Sequence, residues 1–179
     1  LATTALGLLV LLASVLTHEL GHWYLAQRLG ADLRELVLWP LGGLSPIRVR
    51  FEPHVECLIY LAGPLTNLAV CLIVSSLLLA TGHSLQGLFH PLTPTGLYEA
   101  TSWLLAAKLA VWINGGLVVI NMLPAFPFDA GRAVRSGLSA LWPDSSPLRA
   151  AWTAALIAKL AAFVLMVLGL IDICRPSPS

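Results

Sequence analysis

Residues 1–17 hold no charged side chain, and the run is followed at once by His18-Glu19-Leu20-Gly21-His22. A stretch this apolar has to be buried in lipid or in a core. Two histidines and a glutamate set at its end are costly there unless something uses them. On a helix, His18 and His22 share a face, one turn above the other. Two imidazoles so placed can grip one metal ion. Glu19, next to the first, can reach a water on that ion and act as general base. The competing reading is a chance motif whose histidines are only hydrogen-bonded core residues, and the apolar setting weakens it.

Composition extends the argument to the whole chain. The 179 residues are 58% hydrophobic and only 11% charged, with a mean hydropathy of +0.84. Charged residues make up about a quarter of an ordinary soluble domain, so several long apolar runs here indicate a multi-pass membrane protein. The net charge of +1 offers no electrostatic case for nucleic acid. Cys57, Cys71 and Cys174 have neither zinc-finger spacing nor a disulfide framework, and read as small apolar packers. The chain starts at Leu1, so its N-terminus reads as processed or truncated. Without a basic leader or a small-residue cleavage pattern, the opening run is a poor signal peptide.

Four spans are expected: Leu1 to about Gly30, His54 to about Ala80, Thr101 to about Leu123, and about Leu148 to Ile171. Between the first two, Leu36 to Phe51 is broken by Pro40, Gly42, Gly43 and Pro46 and reads as a short membrane-associated β-hairpin around the Gly-Gly turn. Ile47, Val49 and Phe51 alternate with Arg48 and Arg50, as in a strand with one apolar face. Such an edge could receive an extended peptide. In the second span, Gly63-Pro64 permits a kink and close packing, and Asn67 needs a polar partner at membrane depth. The loop from Thr81 to Ala100 carries His83 and His90, read as solvent or interface residues. In the third span Lys108 can snorkel beside Trp103, and Asn114-Gly115-Gly116 is expected to loosen the helix. Pro124 and Pro127 then end regular helix and present Asp129 from a rigid loop. A short amphipathic helix with Arg132 and Arg135 follows, to about Trp142. Lys159, in the middle of the fourth span, is expected to pair with an acid or line a polar cavity.

Charge asymmetry sets the topology. Arg28, Arg34, Arg48 and Arg50 follow the first span, and Arg132, Arg135 and Arg149 the third, whereas residues 81–100 contain no Lys or Arg. By the positive-inside rule the first two groups face the cytoplasm. The histidine motif and Asp129 then meet at one depth. A catalytic zinc takes three protein ligands and keeps one open position. Asp129 is the best third ligand by depth, rigidity and the scarcity of other acids, with Glu56 and His54 as competitors. With Glu19 moving a proton from water to a leaving amine, such a site can hydrolyse a peptide bond.

At this point the sequence resembles the site-2 protease family of intramembrane zinc metalloproteases. The residues that carry the resemblance are His18-Glu19-Leu20-Gly21-His22, Gly63-Pro64-Leu65-Thr66-Asn67 and Asn121-Met122-Leu123-Pro124-Ala125-Phe126-Pro127-Phe128-Asp129, in family order on three successive spans. The resemblance covers Leu1 to Arg132. It implies one zinc per chain, bound by His18, His22 and Asp129, with Glu19 as catalytic acid/base. It implies Asn67 assisting substrate or intermediate, and Gly42 and Gly43 within the family's membrane-embedded strand region. The implied activity is cleavage of transmembrane protein substrates near the cytoplasmic side, after another protease has trimmed them. The family pattern continues Asp-Gly-Gly, whereas this chain has Asp129-Ala130-Gly131; if position 130 needed a positive φ, Ala would cost about 1 kcal/mol.

The resulting expectation is an all-α polytopic protein of the cell membrane. Residues 1–142 form the protease core, and residues 143–179 add one helix and a short tail. It reads as a minimal core or a fragment of a longer protein. A metal transporter or sensor using the same ligands, or an inactive relative, is the alternative; the sequence shows no inverted repeats and no polar path through the bilayer.

Overall fold

The computed structural model describes residues 2–30, 52–88, 95–97, 101–142 and 147–173. They form five α-helices: α1 (Ala2–Arg28), α2 (Pro53–Ala80), α3 (Ser102–Asn121), α4 (Asp129–Leu141) and α5 (Pro147–Ile173), with a 3₁₀ turn at Thr95–Leu97. Four of them, α1, α2, α3 and α5, are long and apolar enough to cross a membrane. No strand occurs among the described residues; the hairpin expected over Leu36 to Phe51, with Gly42 and Gly43, lies outside them, as do His90 and Cys174.

Each helix starts and stops for a local reason. Pro53 opens α2, where its missing N–H has no partner to lose. α1 ends at Arg28, and the turn that follows closes on Gly30, whose φ of +91° only a residue without a side chain adopts cheaply. Beyond α3, Leu123 and Pro124 divert the chain into a turn with a cis Phe126–Pro127 peptide. The chain then restarts as α4 directly at Asp129. Asp129 is therefore the first helical residue, and is not held in a loop as the sequence suggested. α2 continues as helix through Pro64 and α3 through Gly115 and Gly116, so neither motif ends its helix.

Packing is inverted relative to a water-soluble bundle. The side chains buried among the helices include Ser14, His18, Glu19, Asn67, Asn114, Asn121, Asp129 and Ser136. Leu8, Leu12, Leu72, Leu77, Val119 and Phe163 face outward. In lipid this arrangement is the favourable one, since polar groups find partners only inside the bundle. α2 is central and packs against α1, α3 and α4. Asn114 on α3 donates to Ser14 Oγ on α1 at 2.9 Å, and Ser136 on α4 donates to Glu56 Oε2 on α2 at 3.0 Å. Arg132 lies over the Tyr60 ring at 5.8 Å, so the amphipathic α4 is clasped to α2 at two points.

At the far end, Cys71, Leu78, Leu88 and Val111 form an apolar cluster. There Lys108 donates to the Gly96 carbonyl at 2.7 Å, and His83 meets Trp103 edge to face.

α1 and α2 come together at Gly21. A Cβ added there would stand 2.9 Å from the Ala62 carbonyl and would collide with Thr66 Oγ1. We predict that Gly21→Val destabilises the fold by about 1–3 kcal/mol through overpacking, read as a lowered midpoint in detergent unfolding. An unchanged midpoint would show that the two helices separate without cost.

Candidate metal centre

His18 and His22 project from the last third of α1 towards α2. Four-residue spacing stacks the two rings, with centroids 4.8 Å apart. Asp129, at the start of α4, brings a carboxylate to the same point. His18 Nε2 lies 2.9 Å from Asp129 Oδ2, His22 Nε2 lies 3.3 Å from it, and the two Nε2 atoms are 3.1 Å apart. Three donor atoms around a tetrahedral zinc, with bonds near 2.0–2.1 Å, would stand roughly 3.3 Å from one another. The triangle is within a few tenths of an ångström of that spacing, and its two imidazoles and one carboxylate are donors suited to zinc.

Asp129 is buried against both rings, and a carboxylate that binds a metal does so in its ionised form.

The far nitrogens of both rings are held. His22 Nδ1 lies 2.7 Å from the Ile59 carbonyl. A carbonyl can only accept, so the proton sits on Nδ1 and the Nε2 lone pair is free for a metal. His18 Nδ1 lies 3.1 Å from the Asn67 side-chain amide, whose Oδ1 is buried with no hydrogen-bond partner. For His18 Nε2 to bind metal, Nδ1 must carry the proton and face an acceptor. Rotating the Asn67 amide by half a turn puts Oδ1 in that place. Asn67 therefore touches the His18 ring itself.

Gly63 closes the cavity from below. A Cβ there would stand 2.7 Å from His18 Nε2 and would collide with His22 Nε2. The space that the donors converge on exists because residue 63 has no side chain. The sequence suggests a kink and close packing at Gly63-Pro64 but not that the close approach is to the two histidines; the place of Gly63 four residues before Asn67, on the same helix face, is the signal for that. Gly131 has a similar duty, since a Cβ there would press within 2.5 Å of the Ala125 carbonyl and displace the α4 start.

Glu19 is 2% exposed, and its carboxylate lies within 4.8 Å of the histidine ligand atoms, near enough to serve a water between them. The competitors for third ligand stand elsewhere: His54 is exposed and Glu56 accepts from Ser136. Ala130 lies in ordinary helix, and no described non-glycine residue has a positive φ, so Ala in place of the family's Gly is unstrained. An apolar groove of about 450 Å³ between α2 and α4 is lined by Cys57, Leu61 and Leu138 among others, and contains none of these polar groups.

Residues 6–168 match the sequence profile of peptidase family M50. Over 167 residues the chain is 34% identical to Rip3 of Mycobacterium tuberculosis, covering 93% of this chain and 39% of that protein. It is 28% identical over 164 residues to zinc metalloprotease MJ0392 of Methanocaldococcus jannaschii, covering 92% of this chain and 42% of the other. The chain thus spans about two fifths of the length of these relatives. The solved site-2 protease from Methanocaldococcus jannaschii superposes with a TM-score of 0.62 at 27% identity, over 95% of this chain and 69% of that one.

Two substitutions test the geometry through metal content. Gly63→Ala is expected to abolish zinc retention in purified protein while the helical far-ultraviolet signal persists. Asn67→Ala is expected to weaken zinc binding by roughly 10- to 100-fold in a chelator competition, the usual cost of losing a group that orients a histidine ligand. Wild-type zinc affinity in either variant would contradict the arrangement described.

Proposed function

The chain belongs to peptidase family M50, the site-2 proteases, and on that footing we propose that it is a zinc-dependent endopeptidase that cleaves transmembrane protein substrates within the bilayer. The observation that carries this reading is the convergence of His18 Nε2, His22 Nε2 and Asp129 Oδ2 over Gly63, with the Glu19 carboxylate beside them. In this reading the three side chains hold one zinc. When bound, zinc brings the pKa of its water towards neutrality and polarises the scissile carbonyl. Glu19 takes the proton from the attacking water and passes it to the leaving amine. Asn67 and the Ile59 carbonyl keep both imidazoles in the binding tautomer.

The setting suits a membrane substrate. His18 is about 15 Å along α1 from Arg28, and Gly63 about 15 Å into α2, so the centre lies near mid-span. A substrate helix hides its amides in internal hydrogen bonds and has to unwind to reach Glu19. We assign the receiving edge to residues 36–51 around Gly42 and Gly43, on the alternation of Ile47, Val49 and Phe51 with Arg48 and Arg50. The arginine distribution supports a topology with that segment, the start of α2 and the arginine-bearing part of α4 towards the cytoplasmic side of a cell membrane. Substrates trimmed beforehand by another protease fit a site this deep, because little flanking chain then has to follow the span. Residues 1–142 suffice for the site, with α5 as an added helix.

Transport is the weaker reading. Among the described residues the fully buried polar side chains above the centre are Ser14 and Asn114, and the apolar cluster at Cys71, Leu78, Leu88 and Val111 closes the far half.

In vesicles holding a membrane-spanning reporter that the wild-type protein cuts, Glu19→Gln is expected to slow cleavage by roughly 10²- to 10⁴-fold with zinc content unchanged. Cleavage at the wild-type rate by the zinc-loaded variant would remove Glu19 from the chemistry.

A further inference from the structure

Among the described residues, one charged side chain near the middle of a span is left over from this account. Lys159 lies in the middle of α5, about 18 Å along the axis from Pro147, near the centre of a ~30 Å hydrocarbon layer. The sequence reading expected it to find an acid or a polar cavity within the bundle. The structure places it on the outside instead. α5 packs on α4 through Ala150 and Ala154, 1% and 2% exposed, and at about 100° per residue Lys159 points away from both. Its side chain is exposed and makes no hydrogen bond or ion pair among the described residues.

Lys159 is also not isolated on its face. Trp152, Leu156, Lys159, Phe163 and Met166 follow one another at spacings of four, three, four and three, the heptad seam of helix pairing. The four apolar members are 71%, 56%, 59% and 55% exposed, so the seam is continuous and unpartnered among the described residues. A single lysine within such a seam sets register and partner choice.

We propose that α5 docks a transmembrane helix of another protein that carries one carboxylate near its middle, seated on Lys159. Charge decides the occupant. An ammonium at this depth, facing lipid, is stabilised by an opposite charge at the same level. Among the described residues a second copy supplies none at that level: Glu19 and Asp129 are buried in the metal centre, Glu56 accepts from Ser136, Glu52 stands at the start of α2, and Asp172 lies near the end of α5, about 20 Å along the axis from Lys159. Two copies related by an axis along the membrane normal would bring lysine to lysine. The partner would lie behind α4, the helix that begins with Asp129. This inference stands apart from the hydrolytic reading and holds whether or not the chain cuts peptides.

The test uses the whole chain, donor-labelled, in phosphatidylcholine vesicles with acceptor-labelled poly-leucine transmembrane peptides. A peptide with one central Asp is expected to associate roughly five- to thirtyfold more strongly than its all-leucine counterpart, the range for polar contacts between membrane helices. The advantage is expected to vanish with Lys159→Leu, which only adds apolar surface and leaves zinc content intact, and to survive Lys159→Arg. Equal association of the two peptides would overturn the proposal. So would an undiminished preference in Lys159→Leu, or in Lys159→Leu combined with Leu160→Lys, where the charge remains but leaves the seam. Self-association of labelled chains that Lys159→Leu abolishes would make the seam a contact between copies and overturn it equally.

Discussion

Three polar atoms held about 3 Å apart over a residue with no side chain is the arrangement on which the rest of the molecule depends. His18, His22 and Asp129 come from helices separated by up to 111 positions in the chain, and each would be costly to bury alone in a bundle surrounded by lipid. Together they satisfy one another and present a donor set that a divalent metal completes. Gly63 makes that possible by leaving the space empty. Gly21 lets α1 approach α2 closely, and Gly131 lets α4 begin against the Ala125 carbonyl. Small residues thus act at the three places where backbones must come close around the centre.

The surroundings share one logic. In a bilayer the hydrophobic effect does little to bring helices together, so polar contacts and close packing hold the bundle. Asn114 with Ser14 ties α3 to α1 one turn above the histidines. Ser136 with Glu56, and Arg132 over Tyr60, hold α4 on α2, which fixes where Asp129 can sit. The Ile59 carbonyl and Asn67 hold the two rings from behind. α2 contributes Gly63, Asn67, Ile59, Glu56 and Tyr60, and is the platform on which the other elements are placed. Lys159 is a charged side chain that departs from this inward-facing polarity, and for that reason it marks a surface that something else completes.

Much of this was legible in the chain. The four spans, the amphipathic α4 and the convergence of His18, His22 and Asp129 followed from apolar run length, arginine placement and the paired prolines. Less legible were the features that depend on distances between helices. Nothing local separates a glycine that loosens a helix, as expected of Gly115 and Gly116, from one that clears room for a metal, as Gly63 does. Asp129 leads as third ligand in the sequence, but only the packing removes its competitors: Glu56 accepts from Ser136, and His54 is exposed. Ala130 looked like a point of strain only because the backbone angle at that position could not be known.

By itself, then, the sequence determined that this chain spans a membrane several times and carries a histidine pair and a carboxylate at one depth. Both follow from properties written along a single strand: hydropathy, period and charge bias. The tertiary structure alone decided which atoms face each other. It put Asp129 at the head of a helix, turned Asn67 onto His18, left Gly63 beneath the donors, and turned Lys159 outward. Each of these depends on the rotation of one helix against its neighbour, set by where two backbones can approach, and no linear pattern records that.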